Sequence, residues 1–313
     1  MNGVPGNAGR TAGAGMVPGR PGFRVTGIFA LFLALPLLAQ QDATPEKRNF
    51  LWKVRSETAT AHLLGSIHLF KREMYPLDRK IEEAFQRSDV LVVEADVRPA
   101  AGGERQKQVL RGALYPEGDS LVNHISKETR DLLARMFPGL SLDGVSRLKP
   151  WALAMTLAVQ EYQKLGWDYE YGMDAYFLEK AADGKQVREI ERPDFVIEML
   201  NGFSDEYQDL FLRYTLLDLE GVGEKTDRIV KAWTAGDAAA LEKILSVIIH
   251  ENPVLLPVVD ALLYKRNVNM AARIEEYLNE KGEFFVVVGA AHLVGDKGIV
   301  ELLRNKGFPV DQQ

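Results

Sequence analysis

The segment FFVVVGAAH, Phe284–His292, decides how the chain is read. Its uninterrupted Phe and Val run is too short for a helix and shows no polar alternation, so Phe284–Val288 reads as a strand that is dry on both faces. Such a strand belongs inside a largely parallel sheet covered by helices on both sides. Gly289 follows at once and His292 three residues later, so this histidine leaves the sheet at the carboxyl end of a strand. Beyond it come a loop through Gly295 and Gly298, a helix to about Asn305 and a short strand near Phe308–Val310. Before it, 267–280 reads as a helix with Met270, Ile274, Tyr277 and Leu278 turned inward; Arg266 opens that helix on the same apolar face.

A similar order occurs near the N-terminus. Leu51–Val54 and Thr60–Leu64 read as strands of a hairpin turning at Ser56–Thr58, and the sequence GSIH, Gly65–His68, leaves the second of them. A loop containing Pro76, a helix over 78–86 and the apolar run Val90–Val93, ending in Glu94, then make a strand-helix-strand unit with parallel strands. From about 104 to 263 the period is helical, broken by a short strand at 186–190 that ends at Glu191. The clearest helix there starts at Pro150, carries Trp151, Met155, Val159 and Tyr162 on one stripe and stops at Gly166; the stripe reads as core. The expected fold is therefore α/β: a central mixed, largely parallel sheet flanked by helices, with a large helical insertion. One domain covers 50–313, with sheet-forming parts at about 50–97, 184–192 and 284–310 and the helical elaboration at about 104–263.

At 313 residues, 46% of them hydrophobic and 26% charged, the chain can bury a sizeable core. Its net charge of −6, without a cluster of Lys and Arg, argues against a nucleic-acid partner. The absence of cysteine removes disulfides, thiolate metal sites and a cysteine nucleophile together. Arg10, Arg20 and Arg24 precede an apolar run, Val25–Leu38, that ends at Ala39. The run is shorter than the roughly 20 residues that span a bilayer, so 1–39 reads as a secretory signal peptide and 40–49 as a polar linker. The expected location is periplasmic or secreted; the alternative is an inner-membrane anchor made by the uncleaved segment.

With 27 glycines in the chain, a glycine three positions before a histidine means little by itself. Placement gives it weight. His68, His292, Glu94 and Glu191 all follow expected strands, at the edge of an α/β sheet where loops diverge and leave a crevice. Two imidazoles and a carboxylate match the ligand set of a catalytic ion with a position open for water, which points to Mn, Co or Zn on His68, His292 and Glu94. Glu94 then acts as a ligand or as a general base. Gly65 and Gly289 would let the backbone turn sharply or approach the bound group. Arg266, on an apolar face, needs a charged partner: a site carboxylate or an anionic substrate group, and it is a candidate for stabilising charge on the reacting oxygen. The structural alternative is that both histidines are hydrogen-bonded loop residues and Glu94 a solubilising charge. His62, His124 and His250 have structural readings, and the chain contains no GxSxG, HExxH, Walker A or GxGxxG motif.

Taken in order, HLLGSIHLF, SDVLVVEAD, YPEGDSL (115–121), YGMDAYF (171–177), GKQVREIE (184–191), RNVNMA (266–271) and the C-terminal FVVVGAAHLVGDKGIVELLRNKGFPV resemble the TraB/GumN family over about 50–310. That family is similar to the Tiki ectodomains and, more distantly, to ChaN-like and erythromycin-esterase-like proteins. The resemblance implies a helix-flanked sheet, an active site of two GxxH motifs and a Glu, and the metal-dependent peptidase activity described for Tiki-type members. By matching position, it places His68, Glu94 and His292 at the site, with Glu191 and Arg266 in support. The expected function is an exported metal-dependent hydrolase acting on a peptide or protein; the rival is a non-catalytic periplasmic protein that binds a peptide signal or a polysaccharide-assembly partner in the same cleft.

Overall fold

The last long apolar run sits at the centre of the sheet. The computed structural model describes residues 48–96, 98, 103–192 and 194–313; the expected signal segment and the linker up to residue 47 lie outside the described residues. The strands are β1 (Leu51–Arg55), β2 (Ala59–Ser66), β3 (Val90–Val93), β4 (Gln186–Glu189), β5 (Gly282–Gly289) and β6 (Val310–Gln312). Their order is β4-β3-β5-β2-β1-β6. Strands β4, β3, β5 and β2 pair in parallel, while β1 pairs antiparallel with both β2 and β6, so the sheet is mixed and largely parallel as expected. The hairpin β1-β2 forms as read. β2 and β3 are parallel too, but β5 lies between them.

Helix α1 (Arg79–Arg87) joins β2 to β3, its first turn capped by the Asp78 side chain, which accepts from the Lys80 N–H. Between β3 and β4 run α2 (Glu104–Ala113), α3 (Lys127–Met136), α4 (Pro150–Lys164) and α5 (Met173–Ala181). Between β4 and β5 run α6 (Phe195–Asn201), α7 (Asp205–Leu219), α8 (Val222–Thr234), α9 (Ala238–Glu251), α10 (Leu256–Val259) and α11 (Lys265–Leu278). Helices α12 (Ala290–Leu293) and α13 (Ile299–Asn305) follow β5. Among the described residues, no helix is long and apolar enough to cross a membrane.

Successive residues of a strand point to opposite faces, and β5 shows what that requires. The Phe285 ring meets Phe85 of α1 and Phe177 of α5, whereas the Phe284 ring stacks on Tyr277 of α11, with centroids 5.4 Å apart. A second core, built on Leu133, Leu153, Leu157, Leu212 and Leu216, holds α3, α4 and α7 together. It belongs to the helical elaboration, which packs beside the sheet's carboxyl edge through residues described below.

Several expectations need correction. Asn49 is no linker residue: it is 5% exposed, and its N–H donates to the Gln313 carbonyl, extending the pairing beyond β1. Arg266 does not open a helix, because a π-helical turn, Asp260–Tyr264, runs directly into α11. The stripe on α4 is core only at Trp151; Met155 is 50% exposed, and Val159 and Tyr162 are half-buried. Gly65 has a packing role. A Cβ there would lie 2.4 Å from Cδ1 of the fully buried Phe50 and 3.1 Å from the Ala290 Cα, and the Gly65 carbonyl accepts from Trp233 Nε1 at 2.6 Å. Gly65→Ala is therefore expected to lower stability by about 1–3 kcal/mol through overpacking, a downward shift of several degrees in a thermal melt. An unchanged melt would refute this packing account.

Candidate active site

Parallel pairing puts the carboxyl ends of β2, β3, β4 and β5 at one edge, and the four expected acid and imidazole groups leave from those ends. The register Ser66↔Gly289 and Val93↔Val287 sets His68 and Glu94 on either side of β5. The Glu191 N–H donates to the Glu94 carbonyl at 2.9 Å, continuing the β3-β4 ladder by one step. Sequence separation thus becomes adjacency. A Cβ built on Gly289 would lie 3.1 Å from His68 Nε2, 3.4 Å from Glu94 Oε1 and 3.4 Å from His292 Cδ2. Gly289, at φ −52°, makes no left-handed turn; its use is that no side chain occupies the point where the three groups converge.

Each histidine is oriented from behind. His68 Nδ1 donates to Asp174 Oδ2 at 2.9 Å, leaving Nε2 towards Gly289. His292 Nδ1 lies 2.6 Å from Asn267 Oδ1. The Asn267 amide nitrogen donates to the Lys297 carbonyl at 2.8 Å, so its oxygen is the acceptor and His292 Nδ1 carries the proton. The unprotonated Nε2 of His292 then sits 3.8 Å from Glu94 Oε1. His292 is buried, whereas the His68 side chain is 61% exposed, so the notch opens to solvent on the His68 side.

Glu94 is held at both oxygens. Oε1 accepts the Gly289 N–H at 2.6 Å, and Oε2 accepts from Arg266 NH2 at 2.5 Å. Arg266 also forks onto Glu191, through Nε at 2.9 Å and NH2 at 2.7 Å, and its NH1 donates to the Leu262 carbonyl. The charged partners expected of this arginine are thus Glu94 and Glu191. With Nε and NH2 committed to these carboxylates, Arg266 holds Glu94 in place. Burial pushes the Glu94 carboxyl upward, but His292, His68, Arg266 and the Gly289 N–H outweigh it and bring it to about 2. Burial raises the Glu191 carboxyl, with Arg266 opposing. The Asp174 carboxylate raises His68 to about 9, and burial lowers His292 to about 4.

Asp174 and Asn267 were not singled out from the sequence, although both lie inside the quoted segments YGMDAYF and RNVNMA. The available signal was a polar residue on a buried helix face: Asn267 is 1% exposed and Asp174 8%, beside Met270 and Met173 respectively. The other histidines stay apart from the notch. His62 faces Glu283, and His124 is held between Asp119 and Asp205.

In kind, the donors suit a divalent ion: two imidazole Nε2 atoms with hydrogen-bonded partners behind them, and a carboxylate kept ionised. As placed, however, no three His, Asp or Glu side chains among the described residues close into a metal-holding group.

The class is then an α/β protein with a histidine and carboxylate notch at the carboxyl edge of its sheet. The chain belongs to the TraB/PrgY/gumN family, whose sequence profile matches residues 50–312. It is 29% identical to the uncharacterized protein YbaP of Escherichia coli K12 over 252 residues, 78% of this chain and 87% of that one. It is 22% identical to metalloprotease TIKI2 of Danio rerio, covering 85% of this chain and 61% of that protein. Metalloprotease TIKI1 of Xenopus tropicalis is likewise 22% identical, covering 84% and 61%. No solved structure matches the chain significantly.

The two site histidines impose opposite pH dependences. Below about pH 6.5 the unfolded chain protonates His292, whereas the fold resists until about pH 4, so the unfolded state holds the extra proton and stability is lost as the pH drops from about 6.5 towards 4. His68, near 9 in the fold, holds an extra proton in the folded state above about pH 6.5, and its contribution is lost as pH rises through 9. In chelator-treated protein, urea unfolding should show an acid limb to which His292 contributes on the order of 3 kcal/mol between pH 6.5 and 4. His292→Gln should flatten that limb and spare the alkaline one; an unaltered acid limb contradicts the assignment.

Proposed function

We propose that this protein is an exported, metal-dependent hydrolase that cuts peptide bonds at the notch formed by His68, Glu94 and His292. The observation that carries the reading is the convergence, around the bare Gly289, of two imidazoles whose Nδ1 atoms are already committed and one carboxylate held ionised. The relatives named metalloproteases support it at the level of the family. Residues 1–39 would direct export to the periplasm or beyond, and the substrate would be a peptide or protein rather than a polyanion.

When bound, a divalent ion such as Mn, Co or Zn supplies Lewis-acid polarisation of a carbonyl and lowers the pKa of water. The chain's own groups do the rest. His292, neutral and fixed by Asn267, offers Nε2 without reorganisation. His68 offers Nε2 once it gives up the proton that Asp174 favours. A carboxyl at about 2 is a weak base at neutral pH, so Glu94 suits the role of anionic ligand better than that of general base. Arg266 and Glu191 fix its rotamer and therefore act as positioning residues.

A second reading has its own support. Both Glu94 oxygens already accept hydrogen bonds, from Gly289 and Arg266, as in a rigid binding cleft that takes a peptide without cutting it. Glu94→Gln separates the two: a binder retains ligand and complements a deletion, whereas the hydrolase loses turnover.

The decisive comparison is metal content and peptide cleavage in wild type against the double variant His68→Ala, His292→Ala. Loss of both is expected; equal metal and equal cleavage end the proposal. Asp174→Asn and Asn267→Ala, which disturb only what stands behind the imidazoles, should each weaken ion affinity or turnover by roughly 10–100-fold.

A further inference from the structure

The apolar stripe that α4 withholds from the core faces a cavity of about 460 Å³, of which His68 is itself a wall. Met155, Ala158 and Val159 of α4, Phe211 of α7, Ile229 of α8 and Leu262 form much of the rest. Its volume falls in the roughly 300–1,000 Å³ range of pockets that bind small ligands or side chains. No Asp, Glu, Lys or Arg is among its lining residues. Its threonines add little polarity, because the Thr215 hydroxyl donates to the Phe211 carbonyl and that of Thr226 to the Val222 carbonyl, each at 2.7 Å. Away from His68, a charged group entering this space would lose its hydration without meeting a charged partner, whereas apolar groups would be sheltered from water on both sides.

We infer that this cavity receives the bulky apolar side chains of a peptide segment, one of them adjacent to the bond presented to His68 and Glu94; the inference rests on the peptidase reading above. Because His68 belongs to both the notch and the cavity wall, a chain whose amide lies at the notch carries its neighbouring side chain into the apolar space. Selectivity then follows from size and polarity: an apolar pocket distinguishes residues by about 10–200-fold per missing methylene and, beyond His68, offers a charged side chain no ionic partner.

The test uses quenched peptides, identical except for a central Leu-Phe, Ala-Ala or Asp-Ser pair. Cleavage is followed alongside binding of the same peptides, labelled, by fluorescence anisotropy. Wild type should cleave Leu-Phe at least about 10-fold more efficiently than Ala-Ala. Met155→Glu, at a half-exposed position, and Ala158→Phe, which fills the space, should each abolish that preference by bringing Leu-Phe cleavage down by about 10-fold or more. Cleavage with no apolar preference, or with a preference that survives both variants, overturns the inference and leaves the hydrolase reading standing. Leu-Phe binding that is lost in both variants, with no cleavage in wild type, upholds the cavity assignment and sinks the hydrolase reading instead. If no peptide binds but a long-chain fatty acid does, and both variants abolish its binding, the cavity is a lipid site and the inference fails.

Discussion

Strand β5 has to be dry on both faces, and its place between β2 and β3 satisfies that, with α1 and α5 over Phe285 and α11 over Phe284. Inserting the end of the chain between two strands from its beginning closes a very long loop, a cost that only extensive burial offsets. The site depends on that insertion. Were β5 at an edge, Gly289 would not lie between Glu94 and His68, and a slip of one residue would turn each of its phenylalanines to the wrong layer of helices.

A second constraint is electrostatic. Arg266, Glu94 and Glu191 side chains are only 9%, 13% and 8% exposed, and burying charge is costly unless each group is paired and hydrogen-bonded. Here Arg266 NH2 is shared between the two carboxylates, and Nε reinforces Glu191. Removing one member of such a group typically costs about 3–5 kcal/mol, because the others remain buried without compensation. What the arrangement secures is direction: with Oε2 tied to Arg266, Oε1 has one place to go, towards the Gly289 N–H and the His292 ring.

Much of this was legible in the sequence, because strand ends and apolar runs are local signals. The hairpin at 51–64, the run Val90–Val93 with Glu94 after it, the short strand ending near Glu191 and the central Phe284–Val288 all form where the pattern places them, and parallel pairing then brings their carboxyl ends together. What escaped was long-range. Nothing around Gly65 says that Phe50 will fill its missing side chain, and the α4 stripe has a periodicity identical to that of a core stripe. Whether such a stripe meets another helix or an open cavity depends on where α7 and α8 stop, which a helical period does not encode. Asp174 and Asn267 escaped for a related reason: a polar residue on a buried face announces a partner without naming it.

Those two partners make chemically unlike residues out of two copies of one motif. Behind His68 stands a carboxylate, which stabilises the imidazolium and leaves the ring charged at neutral pH; behind His292 stands an amide oxygen, which accepts one proton but offers no countercharge to a second. Burial completes the contrast, since His292 is sealed in while His68 meets solvent and the apolar cavity. A ligand entering the notch therefore meets one nitrogen that is ready and one that must first release a proton. An anionic group is welcomed at His68, and a cation must displace that proton to bind there. The division of labour lies outside the Gly-x-x-His motif, in the residues that α5 and α11 set behind each ring.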